Sequence, residues 1–464
     1  MPELRRLDFP FPWAGLHSEL APRHVPPQAL TACTNMYYLN PQMLRSRGGF
    51  DNFCTAGGSR ITLMYYWSYD NLLYVANNNG QLFKCVSGTA TPVTGPAENV
   101  LSIAAFTDSG GTAKLIIAED KGAQNHTLHT YDGTTYAAIT GTSVPDAEKV
   151  LTRFDRVFAT GKVAEPDKIF FSEQGDETTW SGAYNEGGWV QVAPGHDGDI
   201  IDWIDFEGAL YVFKEHAIYR MPGDHPQTWV PQKLMSSDAV IAGTAVDCAK
   251  GLLYATSHGV FPVNISSQTE SEDLTRQIEQ ELQAVLSTAK AAFSPELGAY
   301  IIVTGATTAY VSNLSNRPDV WTKFTLTPTI YSIYEGNGLY IGASDGKVFF
   351  YNHDGYQDNS VAFTVSFKTG DWDLGEKLHR KEIGYLEGAI NAKENATATP
   401  SLYADGGGTT KTLAPASYAT TARNLSRCRF DCETLALGVA YTNLTAPCAF
   451  AGAAVHGKLK EAIL

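Results

Sequence analysis

From Ile61 onward, short apolar runs of β-branched and aromatic residues alternate with Gly, Asn and Asp, and the alternation recurs. ITLMYYW, a turn at Ser68–Asn71, LLYVAN, the turn Asn78-Asn79-Gly80 and QLFKCV form one predicted meander. LSIAAFT, AKLIIAE, HTLHTY, the turn Asp132-Gly133 and TYAAIT form a second, and five further groups follow. Aligned on their first strands, the modules begin near 61, 101, 150, 199, 241, 289 and 329. Their spacing is close to the roughly 40–50 residues of a four-stranded propeller blade. A phrase of the type Gly-x-Leu-Tyr-Val recurs at Leu73–Val75, Leu210–Val212, Leu253-Tyr254 and Leu339–Ile341. Hairpin turns of the Asn-Gly and Asp-Gly kind follow, supplying the positive φ angles that tight turns need. The pattern predicts an all-β chain with a β-propeller over 61–360. It has seven modules, or six blades if a strand from the N-terminus takes part in closure.

Three segments depart from this texture. Residues 1–60 hold Pro10, Pro12, Pro22, Pro26, Pro27 and Pro41, which exclude a continuous helix or a central strand. Phe9, Phe11, Trp13, Tyr37, Tyr38 and Phe50 in the same stretch require burial, so it reads as an extended arm laid across another surface, in this chain or a neighbour. Within about 270–289, Leu274, Ile278, Leu282, Val285 and Leu286 fall at helical spacing, with Thr269 and Glu272 placed as a capping box. A helix packed on the propeller is expected there. Past Ser360 the repeat fades, and 361–464 reads as an antiparallel β-sandwich or jelly-roll-like platform with long polar loops.

Composition narrows the function. With 44% apolar residues the chain has ample core material, and a net charge of −15 argues against gripping nucleic acid by counterion release. The seven Cys form no Cys-x-x-Cys pair, so neither a disulfide scaffold nor a zinc ribbon is indicated, and Cys428 and Cys432 read as small buried hydrophobes. No secretory leader or membrane span is read, and Leu437–Val455 suits a strand pair; the expectation is a chain made in a reducing cytosol, where Asn-x-Ser/Thr triplets at Asn264 and Asn424 carry no glycan.

Candidate chemistry is sparse. His126 and His129, three apart on a strand, point to opposite faces. No metal motif, P-loop, dinucleotide fingerprint or nucleophile elbow is present, so no catalytic residue, metal or cofactor is expected. Asp197, Asp199, Asp202 and Asp205, with Glu207 beyond, could supply paired carboxylates at a cleft, but they read first as turn-forming and solvated strand residues. Ser172, Gly175 and Trp180 outline the aspartate box of sialidase propellers, with Gln174 where its defining Asp would stand; such a box is a structural turn.

Two stretches carry a family resemblance. Ser172–Asp224, with its Gly-Asp turn, Trp180, Gly-Asp-Gly turn and Leu-Tyr-Val-Phe-Lys-Glu strand, resembles tail nozzle proteins of short-tailed phages, also called packaged-DNA stabilisation or tail tubular B proteins. NMYYLNPQMLRSRGGF resembles that family's opening segment, with Gly48 where the family has Pro, and FKTGDWDLGEKLHRKEIGYLEG and LYADGG resemble its C-terminal β domain. The resemblance implies a homo-oligomeric, hexameric ring in the virion tail, below the portal and its adaptor. Such a ring extends the DNA channel, helps retain the genome and docks a tail fibre or tailspike and a needle or plug. Trp13, Tyr37, Arg45, Arg47 and Phe50 are then the expected subunit or partner contacts, and an acidic lumen would let DNA slide. The alternative is a carbohydrate-binding or glycoside-cleaving propeller with Asp197–Glu207 at its mouth; a protein-binding scaffold is a third.

Overall fold

A computed structural model describes residues 5–21, 24–96, 98–120, 126–161, 164–181, 187–248, 251–264, 272–314, 317, 319–375, 379–392, 396–413, 416–418, 422–442, 444 and 448–462. Seven antiparallel sheets follow one another around an axis. Blade 1 holds Ile61–Trp67, Leu72–Asn77, Leu82–Val86 and Thr89–Pro92; blade 2 holds Asn99–Thr107, Ala113–Asp120, His126–Tyr131 and Tyr136–Ala138. Blade 3 holds Lys149–Arg153, Arg156–Thr160, Lys168–Phe171 and Gly188–Gln191; blade 4 holds Ile200–Phe206, Ala209–Lys214, Ala217–Pro222 and Gln232–Ser236. Among the described residues blade 5 holds three strands, Val246–Cys248, Gly251–Ala255 and Val260–Pro262. Blade 6 holds Lys290–Ser294, Ala299–Val303, Thr308–Asn313 and Trp321–Thr325.

Blade 7 is composite. Ile330–Glu335, Leu339–Ala343 and Lys347–Asn352 are completed by Gly49–Thr55, which pairs antiparallel with Lys347–Asn352. An N-terminal strand therefore closes the ring, and the blade count is seven. First strands of successive blades run side by side around the axis, and blade 7 meets blade 1. The second strands, LLYVAN, RVFAT, ALYVFK, GLLYA, AYIIV and LYIGA, are almost wholly buried because neighbouring blades cover both their faces. The recurring Leu-Tyr phrase is the sequence mark of that position.

The helix is shorter than the periodicity predicts. Of 272–289, one α-helical turn, Glu279–Gln283, and a 3-10 turn, Leu286–Thr288, form; Thr269 lies outside the described residues. Upstream, the Asp273 carboxylate accepts hydrogen bonds from the Thr275 amide and hydroxyl, and the Leu274 amide bonds to the Val260 carbonyl. The chain is thereby held beside blade 5 where a fourth strand would lie, and helix begins only afterwards. The apolar stripe still does its packing: Ile278, Leu282 and Leu286 are fully buried.

The platform is a two-sheet sandwich woven from both ends of the described chain. One sheet runs Met36–Asn40, Met43–Ser46, Cys448–Ala462, His379–Ala392 and Ala422–Cys432, with Arg5–Asp8 also pairing with Cys448–Ala462. The other runs Leu30–Thr34, Val365–Thr369, Leu435–Thr442, Ala396–Ala404 and Thr409–Thr412, with Ala416–Tyr418 on Ala396–Ala404. The arm over 1–60 is thus not a separate unit: its strands Arg5–Asp8, Leu30–Thr34, Met36–Asn40 and Met43–Ser46 belong to the platform and Gly49–Thr55 to the propeller. Its aromatics other than Trp13 pack within this same chain, Phe9 against Trp372 at 5.1 Å and Phe11 stacked on Phe450 at 6.2 Å. Buried Leu30, Cys33, Met36 and Tyr38 give the arm strands their core side, and its prolines confine those strands to short pieces. One continuous core joins platform and propeller, from Leu402, Leu437 and Phe450 through Leu16 and Leu30 to Trp321, Tyr300 and Leu253.

Candidate functional site

The segment Arg45-Ser46-Arg47-Gly48-Gly49-Phe50 lies where the last arm strand leaves the platform and the closing strand enters blade 7. The Arg47 side chain is completely buried and bonds in every direction. Its guanidinium donates to both carboxylate oxygens of Asp358, at 2.7 and 2.5 Å, to Asn35 Oδ1 at 2.8 Å, and to the carbonyls of Gly48 and Thr325 at 2.8 and 2.9 Å. The Phe363 ring lies 3.9 Å from the guanidinium carbon. A charge so enclosed is tolerable only because all its donors are satisfied. The backbone of Gly48 and Gly49 runs so close to residues 352–357 that a Cβ would sit 2.2 Å from the Asn352 carbonyl oxygen or 2.1 Å from that of Gln357.

Of the five expected contact residues, three face inward. Tyr37 packs edge-on against Phe324, Phe50 against Tyr351, and both are buried with Arg47. As surface contacts they are corrected: Tyr37 and Arg47 hold platform to propeller within one chain and Phe50 packs inside blade 7, the rings buried as apolar surface and the guanidinium enclosed by its bonding partners. Arg45 is half-buried and reaches His353 Nε2 at 2.8 Å. Trp13 remains 43% exposed, with Arg317 over its ring at 5.0 Å and a small apolar hollow of about 70 Å³ beside it.

The acidic stretch occupies the turn entering blade 4 and that blade's first strand, and three of its four aspartates meet cations. Asp197 meets Lys233 at 3.0 Å and accepts from the Tyr219 hydroxyl, and these bonds hold its carboxyl below the usual range. Asp202 pairs with Lys149 of blade 3 at 2.8 Å and accepts from the Gly243 amide at 2.6 Å. Asp205 pairs with Arg153 of blade 3 at 3.3 Å. Asp199 is exposed at the turn entering blade 4. Asp202 and Asp205 therefore tie blade 4 to blade 3, whereas Asp197 bonds within blade 4.

Ser172–Trp180 forms a compact turn, as its aspartate-box outline predicts. Ser172 Oγ accepts from the Val157 amide at 3.0 Å, Gly175 adopts φ 72°, and the buried Trp180 indole donates to the Glu177 carbonyl at 2.7 Å. Lys114 clamps the turn between Asp108 and Glu177, at 2.8 and 2.6 Å. Among the described residues, no three His, Cys, Asp or Glu side chains are grouped to hold a metal ion, and no helix is long and apolar enough to cross a membrane.

Two features escape the linear reading. A cavity of about 520 Å³ opens on the platform, lined by Pro27, Gln28, Asp371, Trp372, Asp373, Glu433 and Thr434. The Asp-Trp-Asp triplet was its visible half, whereas Glu433 and the arm residues come from distant sequence. Charge is also unequally divided. Residues 61–360 carry 35 acidic and 17 basic side chains, a balance of −18, whereas 361–464 carry 10 and 11, and 1–60 carry 4 and 6. The acidity belongs to the propeller.

No protein-family profile matches the chain, and no curated protein matches it. Among solved structures it is similar to the WD40 domain of Pan2 from Neurospora crassa, at 9% identity and TM-score 0.44, over 66% of this chain and 96% of that one. It is also similar to the WD40 repeats of RRP9, at 12% identity and TM-score 0.41, over 66% and 99%. The computationally designed Ika8 protein matches at 13% identity and TM-score 0.42, over 65% and 100%. The seven radial sheets themselves define the chain as a β-propeller protein with an added β platform.

Proposed function

We propose that this chain is a structural, non-enzymatic virion protein, the nozzle or hub of a short phage tail. The observation that carries the reading is architectural: a closed propeller is bolted through Arg47 and the arm strands to a platform of different charge. A ring-forming conduit needs such rigid coupling, because any hinge between wall and collar would open a path beside the channel. Hexameric rings of the chain would sit beneath the portal and its adaptor or head-completion protein, dock a tail fibre or tailspike, and hold a needle or plug. They would assemble in the host bacterial cytoplasm and travel in the virion tail.

The charge division supports the same reading. Acidic propeller surface repels phosphates, so DNA would pass without specific binding, whereas a basic wall would retain it by counterion release. A glycoside-cleaving role draws less support, since Asp197, Asp202 and Asp205 are committed to Lys233, Lys149 and Arg153. The test is to mix the purified chain with tail-less particles carrying portal and adaptor, and image them by electron microscopy. A six-fold ring added below the adaptor is expected; a chain that stays free and instead binds or cleaves host polysaccharide would overturn the proposal.

A further inference from the structure

The strand that closes the ring carries a thiol matched by one on blade 1. Cys54 lies on Gly49–Thr55 opposite Val348 of blade 7, and Cys85 lies on Leu82–Val86 opposite Leu73 and Ala90 of blade 1. Hydrogen bonds hold the closing strand against blade 1. The Gly88 amide donates to the Phe53 carbonyl at 2.6 Å, and Asn77 Nδ2 reaches the Ala56 carbonyl at 3.5 Å. Cys54 is thus flanked on both sides by bonds to blade 1, and it shares with Cys85 one apolar cluster that includes Met64, Val75, Phe83 and Val348. Other cysteines have different neighbours: Cys33 and Cys248 direct their sulfurs at the Met36 and Gly251 carbonyls, and Cys448 lies against Ser46.

We propose that Cys54 and Cys85 are an oxidation site, a dithiol that hydrogen peroxide converts to a disulfide fastening the closing strand to blade 1. Peroxide is small enough to reach a buried pair during brief opening of the seam. One thiol is oxidised to a sulfenic acid with release of water; the second attacks that sulfur, the S–S bond forms and a second water leaves. Overall two thiols and one peroxide give one disulfide and two waters. The Cys54 thiol beside it and the burial around the pair push the Cys85 thiol up and keep the pair reduced until the seam opens, so the reaction reads seam opening. Once made, the bond keeps Gly49–Thr55 seated on blade 1 even when the rest of blade 7 parts from it, and the ring recloses onto a preset strand.

The test uses the full chain, purified reduced, treated with hydrogen peroxide, then alkylated in denaturant and digested without reduction. A peptide pair joining Cys54 to Cys85 is expected, roughly tenfold more abundant than any other cysteine pair, and amide exchange over 49–55 should slow by roughly tenfold on oxidation. C85S should show neither effect; if it does not fold, the wild-type peptide map decides alone. Recovery of both cysteines alkylated or as sulfinic acids, or linkage to different partners, would overturn the proposal.

Discussion

The guanidinium of Arg47 and the carboxylate of Asp358 form a two-pronged ion pair at 2.7 and 2.5 Å, in which the Arg47 side chain has no exposure to solvent. It joins the arm to a short hairpin, Gln357–Asp358 paired with Val361–Ala362, between propeller and platform, and with Asn35 and Thr325 it makes one chain segment serve three elements. Removing Asp358 leaves a buried cation unpaired. R47A and D358A are each expected to cost about 3–5 kcal/mol, read as a shift in the urea midpoint. R47K should cost nearly as much, since an ammonium cannot make the same fork. A loss under about 1 kcal/mol for both alanine variants would remove this pair from its place in the account.

Gly48 and Gly49 are needed for closeness of approach. G49A drives a methyl into the Gln357 carbonyl and is expected to cost about 3 kcal/mol, as is G48A against Asn352. Gly111, at φ +81° with open space around its missing Cβ, is the control: G111A should cost only about 1 kcal/mol from its left-handed backbone. Equal losses at all three positions in thermal unfolding would show that contact with residues 352–357 does not matter.

Glu335, on the first strand of blade 7, has one carboxylate oxygen buried without a hydrogen-bond partner. Burial, with Glu296 nearby, pushes its carboxyl from 4.5 up to about 7. A carboxyl that is harder to ionise in the fold than in the unfolded chain favours the fold when protonated. Its contribution is therefore present below about pH 4.5 and lost as pH rises through about 7. E335Q should flatten this decline and stabilise the protein by on the order of 2 kcal/mol above pH 7. Parallel stability–pH curves for wild type and variant would contradict the assignment.

Among the acids of blade 4, D202N is expected to cost about 1–3 kcal/mol, because it weakens bonds to Lys149 and Gly243. D199N, at an exposed turn, should stay within about 0.5 kcal/mol. The reverse ranking in denaturant unfolding would mean that Asp202 is not a blade tie.

The propeller was legible because both signals that specify it are local. Predicted module starts at 61, 101, 150, 199, 241, 289 and 329 compare with first strands at 61, 99, 149, 200, 246, 290 and 330. The Leu-Tyr phrase marks the strand buried on both faces, and Asp-Gly or Asn-Gly marks the turns. The arm was legible only as something that needed burial. Nothing in the alternation around Met36–Ser46 says that its partner is Cys448–Ala462, some four hundred residues away, so a surface contact and an internal one read alike at Tyr37 and Phe50. The acidic stretch misleads in the same way, because Lys149 and Arg153 come from another blade. Helical spacing at 274–286 described a buried stripe, but the Asp273–Thr275 turn limited how much of it became helix.

The central claim is that this chain is a ring component of a virion tail, and electron microscopy of the assembled particle tests it most directly. The account predicts six copies in a ring beneath the portal and adaptor, with the channel wall lined predominantly by propeller carboxylates. A particle lacking the chain, or a ring whose channel is lined mainly by Lys and Arg, would contradict it.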